Sequence, residues 1–145
     1  MSIEIRRLGP GDEAVLSRVN PGVFDHEVDA GLAAEFLADR RHHLLVAIDG
    51  GSVVGFASGV HYVHPDKPAE LWINEVGVAP SHQRQGLGKR LLEALFARGR
   101  ELGCREAWVL TSPANGPAVR LYESVGGVDL ADPPVMFTFR RAEPT

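Results

Sequence analysis

The stretch "VGVAPSHQRQGLGKRLLEALFARGREL", residues 76–102, sets Gly86 and Gly88 where a polar loop turns into a long amphipathic run. A loop entering a helix aims unpaired backbone N–H groups, and the positive end of the helix dipole, at one point in space. That arrangement binds anions. Residues without a side chain let the backbone close on a phosphate, and Arg84 and Lys89 bracket the point with positive charge. The same glycines would also suit a loop that only caps a helix, and the glycines alone do not separate the two uses. The spacing does exclude two common phosphate loops. A Walker loop needs Gly-Lys followed by Ser or Thr, whereas Lys89 is followed by Arg90, with no hydroxyl for magnesium. A dinucleotide fingerprint would need its third glycine or alanine at Leu91.

Other reactive side chains are sparser. Glu75 lies among apolar residues in "LWINEVGV", where a carboxylate needs a partner or a chemical reason, and Gly77 in the same strand pattern marks a bulge or a close backbone approach. His61 and His64 are spaced like a metal pair, but six scattered histidines and one cysteine form no ligand cluster, so no metal is expected. The lone Cys104 excludes an internal disulfide and reads as a packing residue.

These residues need elements to position them. The chain has 145 residues, enough for one domain, 1–145, that buries roughly two-thirds of its unfolded surface. "SIEIRRL" reads as a strand, and Asp12 as the cap of a helix running to about Val19. "DAGLAAEFLADR" reads as a second helix starting at Asp29, and "HHLLVAI" and "VVGFASGVHYV" as a hairpin joined at "DGGS". A third long strand follows over Leu71 to Val78. Leu87, Leu91, Leu92, Leu95, Phe96 and Leu102 are spaced for one buried helix face, and Gly103 ends that helix. "EAWVLT", Glu106 to Thr111, is another strand, "PAVRLYESV" a helix with Pro117 at its start and Gly126 at its end, and "VMFTFRR" a final strand. The fold class is therefore α/β (α+β), a mixed sheet with helices on its faces. A net charge of −4 argues against a nucleic-acid binder and leaves a cationic small molecule possible. The apolar runs fall far short of the roughly 20 residues of a membrane span, and "MSIEIRRLGPGDEAVL" has no leader pattern, so the cytoplasm is the expected location.

Two motifs carry a family resemblance. Gln83-Arg84-Gln85-Gly86-Leu87-Gly88, directly after "NEVGVAPSH", resembles the Gln/Arg-x-x-Gly-x-Gly/Ala signature of the GNAT superfamily of acyl-CoA-dependent N-acyltransferases. "NGPAVRLYESVGG" is similar to that superfamily's Asn-x-x-Ala-x-x-Leu-Tyr-x-x-x-Gly motif at Asn115, Ala118, Leu121, Tyr122 and Gly126. Gly127 departs from it, standing where Phe is common.

The resemblance implies a mixed sheet of about six to seven strands with about four helices, opening as a V between strands 4 and 5 to take the pantetheine arm of acetyl-CoA. It implies that Val76 and Val78 offer backbone groups to that arm and that Gln83, Arg84, Gln85, Gly86, Leu87, Gly88 and Lys89 surround the pyrophosphate. Asn115 would bind pantetheine, and Tyr122 would protonate the leaving thiolate or merely pack beside Leu121. The acceptor is an amine, which must lose a proton before it attacks a thioester. Glu75 is the candidate base, though it could instead pair with an arginine or face solvent. Asn74, His61, His64 and Glu70 are weaker candidates for the acceptor side. The sequence is most similar to the aminoglycoside 3-N-acetyltransferase branch, and "FDHEVD", with Asp25, Glu27 and Asp29, could attract a cationic sugar or be a solvated surface. A peptide N-terminus or a polyamine is the alternative acceptor, a non-catalytic acyl-CoA-binding module is the alternative role, and a homodimer is a further implication.

Overall fold

Five apolar, β-rich runs pair into one sheet in the computed structural model, which describes residues 2–141. In chain order the elements are β1 (Glu4–Leu8), α1 (Ala30–Ala38), β2 (His42–Asp49), β3 (Ser52–His64), β4 (Lys67–Val78), α2 (Leu87–Glu101), β5 (Glu106–Trp108) and α3 (Gly116–Ser124). The strands lie across the sheet in that same order. β1 to β4 are antiparallel, whereas β5 runs parallel to β4 and so needs a crossover, which α2 supplies.

The described residues thus hold five strands and three α-helices, fewer than expected. The helix foreseen from Asp12 is a short 3-10 segment, Glu13–Ser17, because the Asp12 carboxylate folds back to accept from the Gly9 N–H at 2.8 Å and from Arg6 instead of capping. β5 stops at Trp108 instead of Thr111. "VMFTFRR", residues 135–141, pairs with nothing described, and Phe137 and Phe139 are 76% and 86% exposed. Alternation shows which residues share a face, but a strand forms only against a partner edge.

Leu87, Leu91, Leu92 and Leu95 of α2 are almost fully buried, as their spacing predicts. The helix can lie close because β3 offers it glycines. A Cβ on Gly55 would come 3.2 Å from Leu91 Cδ1, and one on Gly59 would come 3.4 Å from Leu95 Cδ2. Pairs directly opposite in the ladder share a face, so β3 residues of odd number, Gly55 to His61, lie under α2 with their partners Leu71 and Ile73. The even-numbered residues face the other way, where Phe56 stacks on Phe24 with ring centroids 4.3 Å apart. The segment around Val23 is thereby pressed onto β4 at Gly77. A Cβ there would stand 2.5 Å from the Val23 carbonyl oxygen and 2.8 Å from Phe56 Cε1. The close backbone approach expected at Gly77 is present. Gly77→Ala should therefore destabilise the fold by about 1–3 kcal/mol, read as a lower urea midpoint at constant slope.

Under α2 the His43 ring is 3% exposed, and its Nε2 lies 2.7 Å from His61 Nδ1. Burial, then the charges of His61 and Arg98, push the His43 pKa down to about 4, and burial lowers that of His61 as well. The unfolded chain therefore binds more protons than the native one between about pH 6.5 and 4. The stability contributed by neutral His43 is complete above that window and is lost as pH falls through it. Urea unfolding should show a loss of about 2 kcal/mol between pH 7 and pH 5, and His43→Leu should flatten most of that slope.

Candidate active site

β4 runs out at Val78 into a 3-10 turn, Pro80–His82, and then into α2. The turn is tied down by His82, whose ring spans Asp49 Oδ2 and Ser81 Oγ at 2.7 Å each. Beyond it the backbone becomes left-handed twice, at Arg84 (φ 63°) and at Gly86 (φ 76°, ψ 13°). Such alternation curls a chain so that its N–H groups converge into an anion-binding concavity. Holding a residue with a Cβ in this region costs about 1–2 kcal/mol, which Arg84 bears and glycine avoids at 86. A Cβ on Gly86 would meet nothing within 4 Å, so conformation alone requires glycine there. Gly88 answers to packing. Its Cβ would lie 3.1 Å from Leu121 Cδ2, so its absence lets α3 lean on the first turn of α2.

No side chain caps this end of α2, which leaves its first backbone N–H groups available. Leu87 is buried beneath them, and Arg84, Gln85 and Lys89 are exposed around them. Arg90 is occupied elsewhere, donating to the Ile3 carbonyl at 2.9 Å. Gln83 turns back, its Nε2 donating to the Val78 carbonyl at 3.1 Å, and so braces the loop against the strand.

Beside the loop β5 gives out, all three of its residues being paired to β4, and β4 runs on past it. They pair only from Glu70, Leu71 and Trp72 to Glu106, Ala107 and Trp108. On its other edge β4 carries a bulge at Asn74, since Ser58 opposes Glu75 while Gly59 opposes Ile73. Of the two uses expected for Gly77 the close approach is the one present, and the bulge of this strand falls at Asn74. The Ala79 N–H bonds to the Val54 carbonyl, and antiparallel alternation then turns the N–H and C=O of Val76 and Val78 toward the side that β5 has vacated. An edge of free backbone groups on β4 runs up to the concavity at α2.

Glu75 is exposed and has no ion pair among the described residues, so of the readings open for it the pairing with an arginine falls away. Its register opposite Ser58 sets it on the sheet face away from α2. Tyr122 is half-buried on α3, and burial raises its pKa, which keeps the phenol protonated. Asn115 caps α3, its Oδ1 accepting from the Ala118 N–H at 3.2 Å, which leaves its amide nitrogen as a free donor. Gly127 is explained by the same helix. Its N–H reaches the Tyr122 carbonyl at 2.9 Å, that of Gly126 reaches Glu123 at 3.0 Å, and a Cβ at 127 would stand 2.7 Å from the Tyr122 oxygen.

Of the weaker candidates, His61 lies under α2 against His43, and His64 pairs with Asp66 at the hairpin tip. Asp29 caps α1, while Asp25 and Glu27 are exposed. Sequence reasoning passed over Trp72, Trp108 and Tyr62, which meet on the face of Glu75. Among the described residues no cluster of three or more His, Cys, Asp or Glu could hold a metal, and no helix is long and apolar enough to cross a membrane.

Residues 15–127 match the model of the acetyltransferase (GNAT) family. The chain is 36% identical over 135 residues to a mycothiol acetyltransferase of Pseudarthrobacter chlorophenolicus, a match covering 86% of this chain and 42% of that protein. It is 39% identical over 92 residues to N-alpha-acetyltransferase RimI of Mycobacterium tuberculosis, covering 62% of this chain and 54% of that protein. The chain thus spans about half the length, or less, of these curated relatives. Its fold superposes on an aminoglycoside acetyltransferase from an uncultured soil metagenomic sample with a TM-score of 0.80 at 21% identity, over 98% of this chain and 100% of that one. It also superposes on a 6′ aminoglycoside N-acetyltransferase in complex with CoA, with a TM-score of 0.76 at 23% identity, over 97% and 96% of the two chains. The chain belongs to the acetyltransferase (GNAT) family, and acetyl-CoA is the acyl donor of such a domain.

Proposed function

We propose that this domain transfers an acetyl group from acetyl-CoA to the primary amine of a cationic small molecule, by direct attack with both substrates held at once. The observation that carries the reading is the bare edge of β4 beyond the end of β5, which leads to the left-handed turn at the uncapped end of α2. A diphosphate with a long amide-bearing arm suits both parts, the first by N–H groups and the second by a strand edge. The backbone from Arg84 to Lys89 would hold the pyrophosphate, with the exposed Arg84 and Lys89 adding charge. The Val76 N–H and C=O, the Val78 N–H and the Asn115 amide would hold the arm. Gln83 acts at one remove, because it binds the strand rather than facing the loop's concavity.

Bound acetyl-CoA supplies the activated acetyl group as a thioester. The chain's own task is to move protons. Glu75 would take the proton from the incoming ammonium, and its exposure suits a base that must meet a charged amine from solution. Tyr122 would return a proton to the departing thiolate, and its raised pKa keeps it a donor through neutral pH. The acidic Asp25 and Glu27, on the segment held over this face by Phe24, favour a cationic acceptor. A peptide N-terminus is the second reading, supported by the likeness to RimI.

Release of free thiol from acetyl-CoA, followed with aminoglycosides, polyamines and peptides side by side, tests the reading. Turnover with at least one amine is expected. Binding of acetyl-CoA with no thiol release for any amine would leave only a binding module, and no binding at all would overturn both. Glu75→Gln and Tyr122→Phe should each lower kcat by about 100-fold or more with acetyl-CoA affinity unchanged. A pH-rate profile left unaltered by either variant removes that residue's role in proton transfer.

A further inference from the structure

The two tryptophans of the chain meet where β5 ends. Trp72 and Trp108 are the last residues at which β4 and β5 pair. Their rings are stacked with centroids 5.3 Å apart and planes 9° apart. Trp108 Nε1 donates to the Tyr62 hydroxyl at 2.9 Å, which fixes the orientation of the stack. Trp72 opposes Val60, so the stack lies on the even-numbered face of β3, the face of Glu75 and away from α2. Each indole keeps more than a third of its surface exposed, at 36% and 37%, although burying so large an apolar ring is strongly favourable. Folding of the described residues leaves this surface uncovered.

Carboxylates flank it on this face, with Lys67 one pair further out, opposite His64. Glu70 opposes Tyr62 on this face at one side of the stack, and Glu75 stands beyond it on the other. Indole faces attract cations held over them, and the carboxylates add to that attraction. A rigid ring gains this contact at little cost in conformational freedom, whereas a flexible chain must give up several rotors to make it. Trp72 opposes Val60 and Glu75 opposes Ser58, so across the bulge the two lie only two β3 residues apart, roughly 7 Å along the strand. An acceptor that rests on the indoles and presents an amine to Glu75 must span that length.

We infer that the Trp72–Trp108 stack is a recognition platform for a ring-bearing polycation, an amino saccharide of at least two linked rings. One ring stacks on the indoles, and the amine of the other reaches Glu75. This assignment rests on the proposed acetyl transfer and names the class of acceptor for it. Tyr62 is a positioning residue, acting through the orientation of Trp108.

Because these are the only tryptophans in the chain, intrinsic emission reports on the platform alone. Titration of the wild-type protein with a two-ring polyamino saccharide, without acetyl-CoA, should change that emission saturably. Spermidine and a tripeptide with a free N-terminus should not change it at equal concentration. By calorimetry, Trp108→Leu should weaken saccharide binding at least tenfold, and Trp108→Phe, which keeps an aromatic face, should recover most of it. Flat emission with the saccharide, or an equal response to the tripeptide, overturns the platform. Acetyl-CoA binding measured separately distinguishes the two failures: its loss sinks the transferase reading, while its retention beside flat emission sinks only the platform.

Discussion

The seating of α2 on β3 is the contact on which the rest of the structure depends. Leu91 and Leu95 enter the space that side chains at Gly55 and Gly59 would fill, so helix and sheet approach more closely than Cβ atoms would allow. That depth fixes where the N-terminus of α2 lies relative to the end of β4. Eight residues join the two elements, from Ala79 to Gly86, and they must bend sharply to do so. The left-handed backbone at Arg84 and Gly86 follows from this short span. Convergent N–H groups are thus the by-product of a helix set close to its sheet.

The same contact explains why β4 can run on past the end of β5 without unravelling the molecule. β4 is held on its other edge by β3 along most of its length, and Leu71 packs beneath α2 against Gly99. β5 contributes only three paired residues. A strand held on one side and covered by a helix can leave its second edge bare where a ligand is to lie. The backbone groups of Val76 and Val78 are left without strand partners, and Gln83 takes one of the carbonyls. An unpaired edge is ordinarily a hazard for aggregation, and here it is confined to the short stretch of β4 beyond the end of β5.

Features that depend on local chemistry were legible in the sequence. The leucine spacing of α2, the glycine ending of α3, the hairpin at "DGGS" and the glycine loop all took the predicted form, because each rests on the conformational limits of a few neighbouring residues. Features that depend on register were not legible. Nothing in "LWINEVGV" shows that the extra residue falls at Asn74, and that one residue decides which face Glu75 takes and so exposes it. The Asp12 carboxylate accepted from a backbone N–H behind it rather than ahead, which no local preference distinguishes. "VMFTFRR" has the alternation of a strand, yet alternation names a face and not a partner.

This difference divides the site itself. The proposed donor side would be made mainly of backbone: N–H groups at a helix end, amide groups along a strand, and glycines whose role is to have no side chain. Its signature therefore survives in the letters of the sequence, since few residues other than glycine adopt φ near +76° without strain. The proposed acceptor side would be made of side chains brought together by pairing, Trp72 with Trp108 from positions 36 residues apart and Glu75 set by a bulge. No short motif can contain such a constellation. A chain of this family therefore reveals what it carries more readily than what it acts upon, and the acceptor is read from the face of the folded sheet.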